Sequence, residues 1–382
     1  NIQAAPLSHT ILMRRFFGAY LAHLKGSYSW SCSAIGMNVY SHDWQEMIEY
    51  LSLGGHEGFD GDFKKFESLF TQDLADALLH DVVEPFYKKL DPNWTPADAH
   101  MRARLMACTT GAKLLVGLWI VTQSCMNPSG TFGTSLLINN FTAHNLLGQV
   151  YLKLARVAAP NLANVTCFER FVRKKIYGDD HVVVTSQKIL DFYNFTTVQG
   201  AFADMGITYT PAEKGTVDEP ACKPVTELQF LANTTRVDDN LMSGTQLYAV
   251  PSEEAMIKPL CWTTNTEPNV DATHTNAEDS LRRSFGRGYK HFEEFRERLH
   301  VSLKKAGIWV PLIDFASCEQ LWRDRVLDAM MYDDDDQDPH HSYYSTRVTG
   351  LKDGFLQRLM TNWVRERVPI TGEIVQPAGP GD

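Results

Sequence analysis

Apolar positions along the chain repeat with two different periods, and the changes of period mark its elements. At Leu74, Leu78, Val82 and Phe86 they recur every fourth residue, with Ala75, Leu79 and Val83 beside them, which predicts an amphipathic helix. Pro85 is expected to kink that helix or begin its end. Residues 135–156 form a run long enough for a second helix. Residues 186–205, apolar at Ile189, Phe192, Phe202 and Met205, predict a third. Between these two, Ile176 leads into Tyr177-Gly178-Asp179-Asp180, and the chain leaves through Val182, Val183, Val184 and Thr185. Aromatic and β-branched residues favour strand and glycine permits a tight turn, so this stretch predicts a hairpin with two adjacent carboxylates at its tip. The apolar run 114–121, with Gly117 inside it, is too short to span a bilayer and is expected to be buried. Beyond Pro251 the pattern turns helical, notably over 279–306 and 318–331.

Two acids on a rigid turn suit a divalent cation, which takes oxygen ligands. A pair of such ions, about 3.5–4 Å apart, stabilises both oxygens of an in-line phosphoryl displacement, and needs a carboxylate from a second segment. Gly58-Phe59-Asp60-Gly61-Asp62-Phe63-Lys64-Lys65-Phe66-Glu67 supplies one: a strand ending at Asp62 lays its carboxylate beside Asp179, with Glu67 about a turn further on. The plainer alternative is that Asp62 caps a helix and Glu67 is solvated. Asn127-Pro128-Ser129-Gly130-Thr131-Phe132-Gly133-Thr134 opens into the second helix. Its glycines and hydroxyls allow close approach to a nucleotide sugar, or merely cap that helix. Thr210-Pro211-Ala212-Glu213-Lys214 ends in a lysine able to protonate a pyrophosphate leaving group, although a lone lysine is usually a solvated surface charge.

In this order the four segments resemble the palm motifs of positive-strand RNA virus RNA-dependent RNA polymerases, those of the picorna-like superfamily above all, with dicistrovirus- and marnavirus-like features. Further echoes are Arg14-Arg15-Phe16-Phe17, Gly36-Met37-Asn38, a primer-grip-like Glu227-Leu228-Gln229-Phe230-Leu231 and Pro259-Leu260-Cys261-Trp262-Thr263 at the start of a thumb. The resemblance implies an α+β right-hand polymerase with a split βαβ palm, a helical thumb and partial fingers. Its segments would be 1–56 (partial fingers), 57–93 (palm), 94–123 (a helical fingers excursion), 124–250 (palm) and 251–382 (thumb and a flexible tail). It also implies two Mg²⁺ ions, or Mn²⁺, on Asp62, Asp179 and Asp180, with the Phe63 carbonyl completing one shell. Lys214 would be the general acid; Glu67, Ser129, Gly130, Thr134 and Asn139 would meet the nucleotide and its ribose; Tyr177, Phe230, Leu231 and Arg236 would meet primer and RNA. Three positions depart from the family pattern. Glu67 stands where aspartate is usual. The asparagine expected four residues after Thr134 is Ile138, with Asn139 and Asn140 following, and Asn139 is the one favoured here. Ala232 and Asn233 replace basic residues after Phe230-Leu231, which leaves Arg236 as a substitute.

The resemblance further implies RNA template, primer and nucleoside triphosphates as partners, with other viral replication proteins, in membrane-associated complexes of the host cytoplasm. The family's basic fingers motif lies some sixty residues ahead of the first catalytic aspartate, about where this sequence starts relative to Asp62, so the chain is expected to begin just after it and to be the carboxy-terminal part of a larger polymerase or polyprotein. A reverse transcriptase is the alternative enzyme, and a catalytically silent fragment that binds RNA or protein is the alternative of another class. The formal charge of −10 sits awkwardly with nucleic-acid binding, but part of it is local, in the acidic run 333–338, expected to be a solvated loop. Basic residues gather at Arg170, Arg173, Lys174 and Lys175, and at Arg282, Arg283, Arg287 and Lys290, the second group either tracking RNA or forming a helix's polar face. Seven scattered cysteines show no short paired spacing, which argues against a zinc site and suits a reducing compartment.

Overall fold

Val182, Val183 and Val184 are all buried, because both faces of their strand are covered, and this is why the run shows no alternation. The computed structural model describes residues 5–116, 118–122, 127, 130, 132–213, 220–240, 244–261 and 270–325. Its strands are β1 (Glu57–Phe63), β2 (Lys113–Val116), β3 (Trp119–Thr122), β4 (Val172–Tyr177), β5 (Asp180–Thr185), β6 (Tyr209–Thr210), β7 (Lys223–Pro224), β8 (Asn233–Asn240) and β9 (Gly244–Pro251). The central sheet is antiparallel in the order β4-β5-β1-β6, with β7 alongside the start of β1. Helices Asn140–Ala158 and Phe195–Ala203 pack on one face with Phe59, Phe63 and Val183. The other face carries Val182 and Val184 beneath Trp44 of helix His42–Ser52, with Leu228 and Phe230. In chain order this is strand, helix, hairpin, helix, strand, the split βαβ arrangement of an α+β fold.

Several boundaries differ from the pattern. Within 186–205 only Phe195–Ala203 is α-helical, because Asn194 makes a reciprocal capping box with Thr197 and so sets the start; Ile189 is buried from the irregular segment before it. Pro85 does not end its helix: Gln72–Ala77, the π-helical Leu78–Val83 and Glu84–Leu90 follow without a break. A π turn bonds five residues back, as Glu84 N–H does to the Leu79 carbonyl, and the proline sits in the first turn of the next segment, where its missing N–H costs least. The run 114–121, expected to be buried, is exposed at Leu115 and from Leu118 to Val121. It forms the two-stranded hairpin β2-β3 after helix Pro96–Thr110, and Leu115, Trp119 and Ile120 are each more than 70% exposed, since no third strand or second layer covers them among the described residues.

Toward the amino terminus, helix Leu7–Gly26 packs with the 72–90 segment and helix Pro96–Thr110 around Phe17, Leu78 and Met106. Buried Arg102 lies 4.1 Å over the Tyr87 ring and grips Glu84 through both carboxylate oxygens, Nε–Oε1 2.5 Å and Nη2–Oε2 2.8 Å. The stretch 279–306 is two helices rather than one, Val270–Ser284 and Tyr289–Lys305, with a 3₁₀ turn at Phe285–Arg287 between them. They pack with helix Phe315–Arg323 around Leu281, Phe292 and Trp322. The rest of 318–331 from residue 326 on, and the acidic run 333–338, lie outside the described residues.

Candidate active site

Side chains alternate along β1, so Phe59 and Phe63 enter the helix-covered core while Asp60 and Asp62 share the opposite face. Pairing of Gly61 with His181 sets the end of β1 beside the β4-β5 hairpin tip. Gly61 itself is required by a close approach: a Cβ there would lie 2.1 Å from the Tyr209 ring. Tyr177 opposite Asp180 closes a two-residue loop, Gly178-Asp179, whose first residue takes φ 73°, the left-handed conformation that glycine adopts without strain. Asp179 and Asp180 are exposed. With half-buried Asp62 they line one cavity of about 440 Å³.

The tip is braced from beneath. A His181 Nδ1 to Asp179 carbonyl contact measures 2.9 Å and His181 Nε2 to the Tyr209 hydroxyl 2.8 Å. Burial lowers the His181 pKa to about 4, so a neutral ring stands beside the aspartates. The Gly178 N–H donates to Asn140 Oδ1 at 2.7 Å, and Asn140 Nδ2 donates to Ser33 Oγ at 2.9 Å. Asn140 thus spends its amide on the fold, joining the hairpin to the segment after the first helix.

Opposite the aspartates, the cavity is walled by Gln229, Phe230, Leu231 and Ala232. Phe230 and Asn233 pair across a tight turn in which Leu231 (φ 51°) and Ala232 (φ 59°) are both left-handed. Such a conformation costs an L residue on the order of 1–2 kcal/mol, so the turn must be held by its surroundings. Asp60 does part of this: fully buried, it accepts from the Gln229 N–H at 2.8 Å, and its other oxygen lies 3.7 Å from Lys223 Nζ. Arg236, expected at the primer, does not line this cavity. Its guanidinium donates to the Gly286 carbonyl and to Asp238, each at 2.8 Å, and stacks 4.6 Å over Tyr248, because β8 directs it toward the turn between helices Val270–Ser284 and Tyr289–Lys305. The two basic clusters are engaged within the fold in part, with Arg170 and Lys290 exposed. Lys174 and Lys175 are buried, Arg282 and Arg283 pair with Glu278 and Asp279, and Arg287 donates to the Pro251 carbonyl.

The proposed sugar-binding residues form a second group on the other side of the tip. Glu67 is exposed on the 3₁₀ turn Phe66–Leu69, and its carbonyl accepts from Asn127 N–H at 3.1 Å. Asn127 Nδ2 donates to Asn139 Oδ1 at 2.7 Å, and Thr134 Oγ donates to Asn127 Oδ1 at 3.5 Å. Thr134–Asn139 is a π turn, closed by Asn140 N–H to the Ser135 carbonyl. A turn bonded five residues back absorbs one extra residue, so Asn139 comes where a residue four positions after Thr134 would stand in an α-helix, while Ile138 is buried in the core. A Cβ on Gly178 would sit 3.9 Å from Asn139 Nδ2. Gly130 is exposed, and Tyr177 is 38% exposed beside the tip. The Phe63 ring is buried among Phe66, Phe202 and Tyr209, so only its backbone could serve an ion. Ser129 and Lys214 lie outside the described residues. Asp60, Asn127, Asn140 and His181 carried no role in the sequence reading; the one signal for Asp60 was its spacing of two from Asp62, which puts both on one strand face.

The donor set fits a hard divalent ion. Three carboxylates from two segments open onto one cavity, although among the described residues no three acidic, histidine or cysteine side chains are grouped closely enough to hold an ion by themselves. Mg²⁺ accepts such an open set, since it keeps several waters and uses one or two carboxylates together with substrate phosphates.

Comparison with known proteins accords with this geometry. A family model described as viral RNA-dependent RNA polymerase matches residues 1–301. The genome polyprotein of Rice tungro spherical virus (strain Vt6) is 25% identical over 315 residues, covering 82% of this chain and 9% of that protein. The replicase polyprotein of Cricket paralysis virus is 23% identical over 306 residues, covering 77% of this chain and 16% of that one. The chain therefore spans a small part of the length of these relatives. Among solved structures, the Sicinivirus 3Dpol RNA-dependent RNA polymerase superposes with a TM-score of 0.64 at 19% identity, covering 85% of this chain and 63% of that one. With its fold, its paired aspartates and a family match over most of its length, the chain belongs to the viral RNA-dependent RNA polymerases.

Proposed function

We propose that this chain carries the palm and thumb of an RNA-directed RNA polymerase that replicates a positive-strand RNA genome of the picorna-like group. The observation that supports it most is the meeting of Asp62 with Asp179 and Asp180 in one cavity, opposite the Phe230–Asn233 turn. The reaction joins an RNA 3′-hydroxyl to the α-phosphate of a nucleoside triphosphate and releases pyrophosphate. Asp62 and Asp179 would hold two Mg²⁺ ions, or Mn²⁺, with Asp180 in support; when bound, such a pair neutralises charge on the attacking and leaving oxygens. The chain's own part is positioning: Leu231 and Ala232 shape the wall at which the primer end lies, and Glu67, Thr134 and Asn139 meet the ribose. Lys214 would return a proton to the leaving group. RNA template, primer and nucleoside triphosphates are the proposed partners, with other viral replication proteins in membrane-associated complexes of the host cytoplasm. No helix among the described residues is itself long and apolar enough to cross a membrane.

The test is primer extension by the chain in its native coding context, wild type against Asp179→Ala, with ribo- and deoxynucleotides. Loss of extension in the variant and preference for ribonucleotides are expected. Equal activity in both proteins removes the metal assignment, preferential use of deoxynucleotides turns the reading to a reverse transcriptase, and RNA binding without extension by the wild type turns it to a silent binding fragment.

A further inference from the structure

Asn127 joins the Glu67 turn to the Thr134–Asn139 turn, two pieces of chain that are distant in sequence. Its N–H holds the Glu67 carbonyl at 3.1 Å, its Nδ2 donates to Asn139 Oδ1 at 2.7 Å, and its Oδ1 receives the Thr134 hydroxyl at 3.5 Å. It is 1% exposed, whereas Glu67 is exposed and Asn139 half-buried. A buried residue whose side-chain amide touches two groups assigned to one ligand and whose backbone N–H holds the turn of a third, without lining the aspartate cavity itself, has the position of a support.

The orientation it imposes is specific. A primary amide has an acceptor end and a donor end, and which end faces a ligand is set by the partner of the other. Because the Asn127 donor engages Asn139 Oδ1, the Asn139 NH₂ is the end left on the side of Gly178, 3.9 Å from where a Cβ on that glycine would sit. The π turn makes this hold necessary. It brings Asn139 to the tip through a helical turn with an extra residue, and such turns persist where tertiary contacts secure them.

We propose that Asn127 is a positioning residue for sugar discrimination: it fixes the Asn139 amide with its NH₂ toward the nucleotide and ties it, with Thr134, to the Glu67 turn as one unit. This rests on the reading of Asn139 as a ribose contact. A bound 2′-hydroxyl then meets a donor already in place, and a deoxynucleotide leaves that donor without its partner.

The test measures kcat/KM for ATP and for dATP in primer extension, with the chain in its native coding context, for wild type, Asn127→Leu, Asn127→Asp, Asn139→Ala and the double variant Asn127→Leu/Asn139→Ala. Asn127→Asp keeps the shape and removes the donor, so it decides the matter if the leucine variant fails to fold. The ATP-to-dATP ratio is expected to fall roughly 3- to 10-fold in each single variant, the size of one hydrogen bond, and no further in the double variant. A merely structural role would lower both efficiencies together and leave the ratio unchanged. If Asn139→Ala lowers the ratio while both Asn127 variants keep it within about twofold, the role of Asn127 is overturned and the sugar site stands. If Asn139→Ala leaves the ratio at the wild-type value, the ribose reading itself is overturned, and this inference with it.

Discussion

Replacing Asp60 should loosen the wall that faces the catalytic aspartates, and the structure gives the size of the effect. Its carboxylate is fully buried, one oxygen on the Gln229 N–H at 2.8 Å and the other 3.7 Å from Lys223 Nζ, whose side chain is 17% exposed. At an effective dielectric near 20, that separation corresponds to roughly 4 kcal/mol of gross attraction, most of it offset by the cost of taking both charges out of water. What a substitution removes is therefore better judged from the groups left behind. Asp60→Leu leaves the Gln229 N–H without its acceptor and removes the carboxylate beside Lys223, and should cost about 3 kcal/mol. Asp60→Asn keeps an acceptor for Gln229 and should cost about 1–2 kcal/mol, the difference between a charge-assisted and a neutral bond. In melting temperature that is about 2–4 °C per kcal/mol for a unit of this size, measured by circular dichroism with increasing temperature. Because Gln229 leads directly into the left-handed Leu231 and Ala232, the leucine variant should also raise the KM for primer more than that for nucleotide. Equal losses in the two variants would show that the Gln229 bond is not what holds the turn, and a wild-type primer KM in Asp60→Leu would refute the link from this carboxylate to the cavity.

Three other outcomes can be checked separately. Asn140→Ala should slow extension with ATP and dATP alike and cost about 1–3 kcal/mol, since it leaves the Gly178 N–H without its acceptor; a changed sugar preference would show that the wrong asparagine has been assigned to the ribose. Arg102→Met should destabilise the fold by about 3–5 kcal/mol by stranding Glu84, and Arg102→Met/Glu84→Leu should recover most of the loss in urea denaturation. Burial lowers the Lys175 pKa to about 8, so between pH 8 and about 10.4 the unfolded chain binds the proton that the folded chain has released. Stability from this group therefore rises with pH through that window and is flat below it, and Lys175→Met should remove the rise; a wild-type minus variant difference that stays constant from pH 7.5 to 10 would contradict the assignment.

The strands of the palm were legible because their physics is local. The Val182–Val184 run, the glycine at the tip and the aromatic β4 residue before it all favour a hairpin, and β1 needs only its alternation to send Phe59 and Phe63 one way and Asp62 the other. Legibility ended where partners from elsewhere decide. The run 114–121 has the composition of a core segment, yet Leu115, Trp119 and Ile120 stay more than 70% exposed, and composition does not reveal whether a covering neighbour exists. Arg236 shows the converse. Three residues along β8 from the Asn233 that closes the turn, it has the charge an RNA contact needs, but its fork is taken by Gly286 and Asp238, an arrangement that depends on where the turn between helices Val270–Ser284 and Tyr289–Lys305 docks.

The two asparagines make the same point within one helix. The sequence offers Asn139 and Asn140 side by side, and an ideal α-helix would turn them about 100° apart without saying which faces the hairpin. The choice depends on the hydrogen-bond register of the turn, and that register is decided by burial. Leu137 and Ile138 enter the core next to Leu21 and Leu105, and Asn140 reaches both Ser33 and the Gly178 N–H. Satisfying the apolar pair and the buried amide together widens Thr134–Asn139 into a π turn, and Asn139 is then the amide that reaches Asn127. No periodicity in the sequence marks this, because a π turn is one residue more than an α turn and is held by contacts made far along the chain. The site's chemistry is thus written in residue types that can be read in order, while the orientation of its amides follows from packing that only the folded chain makes.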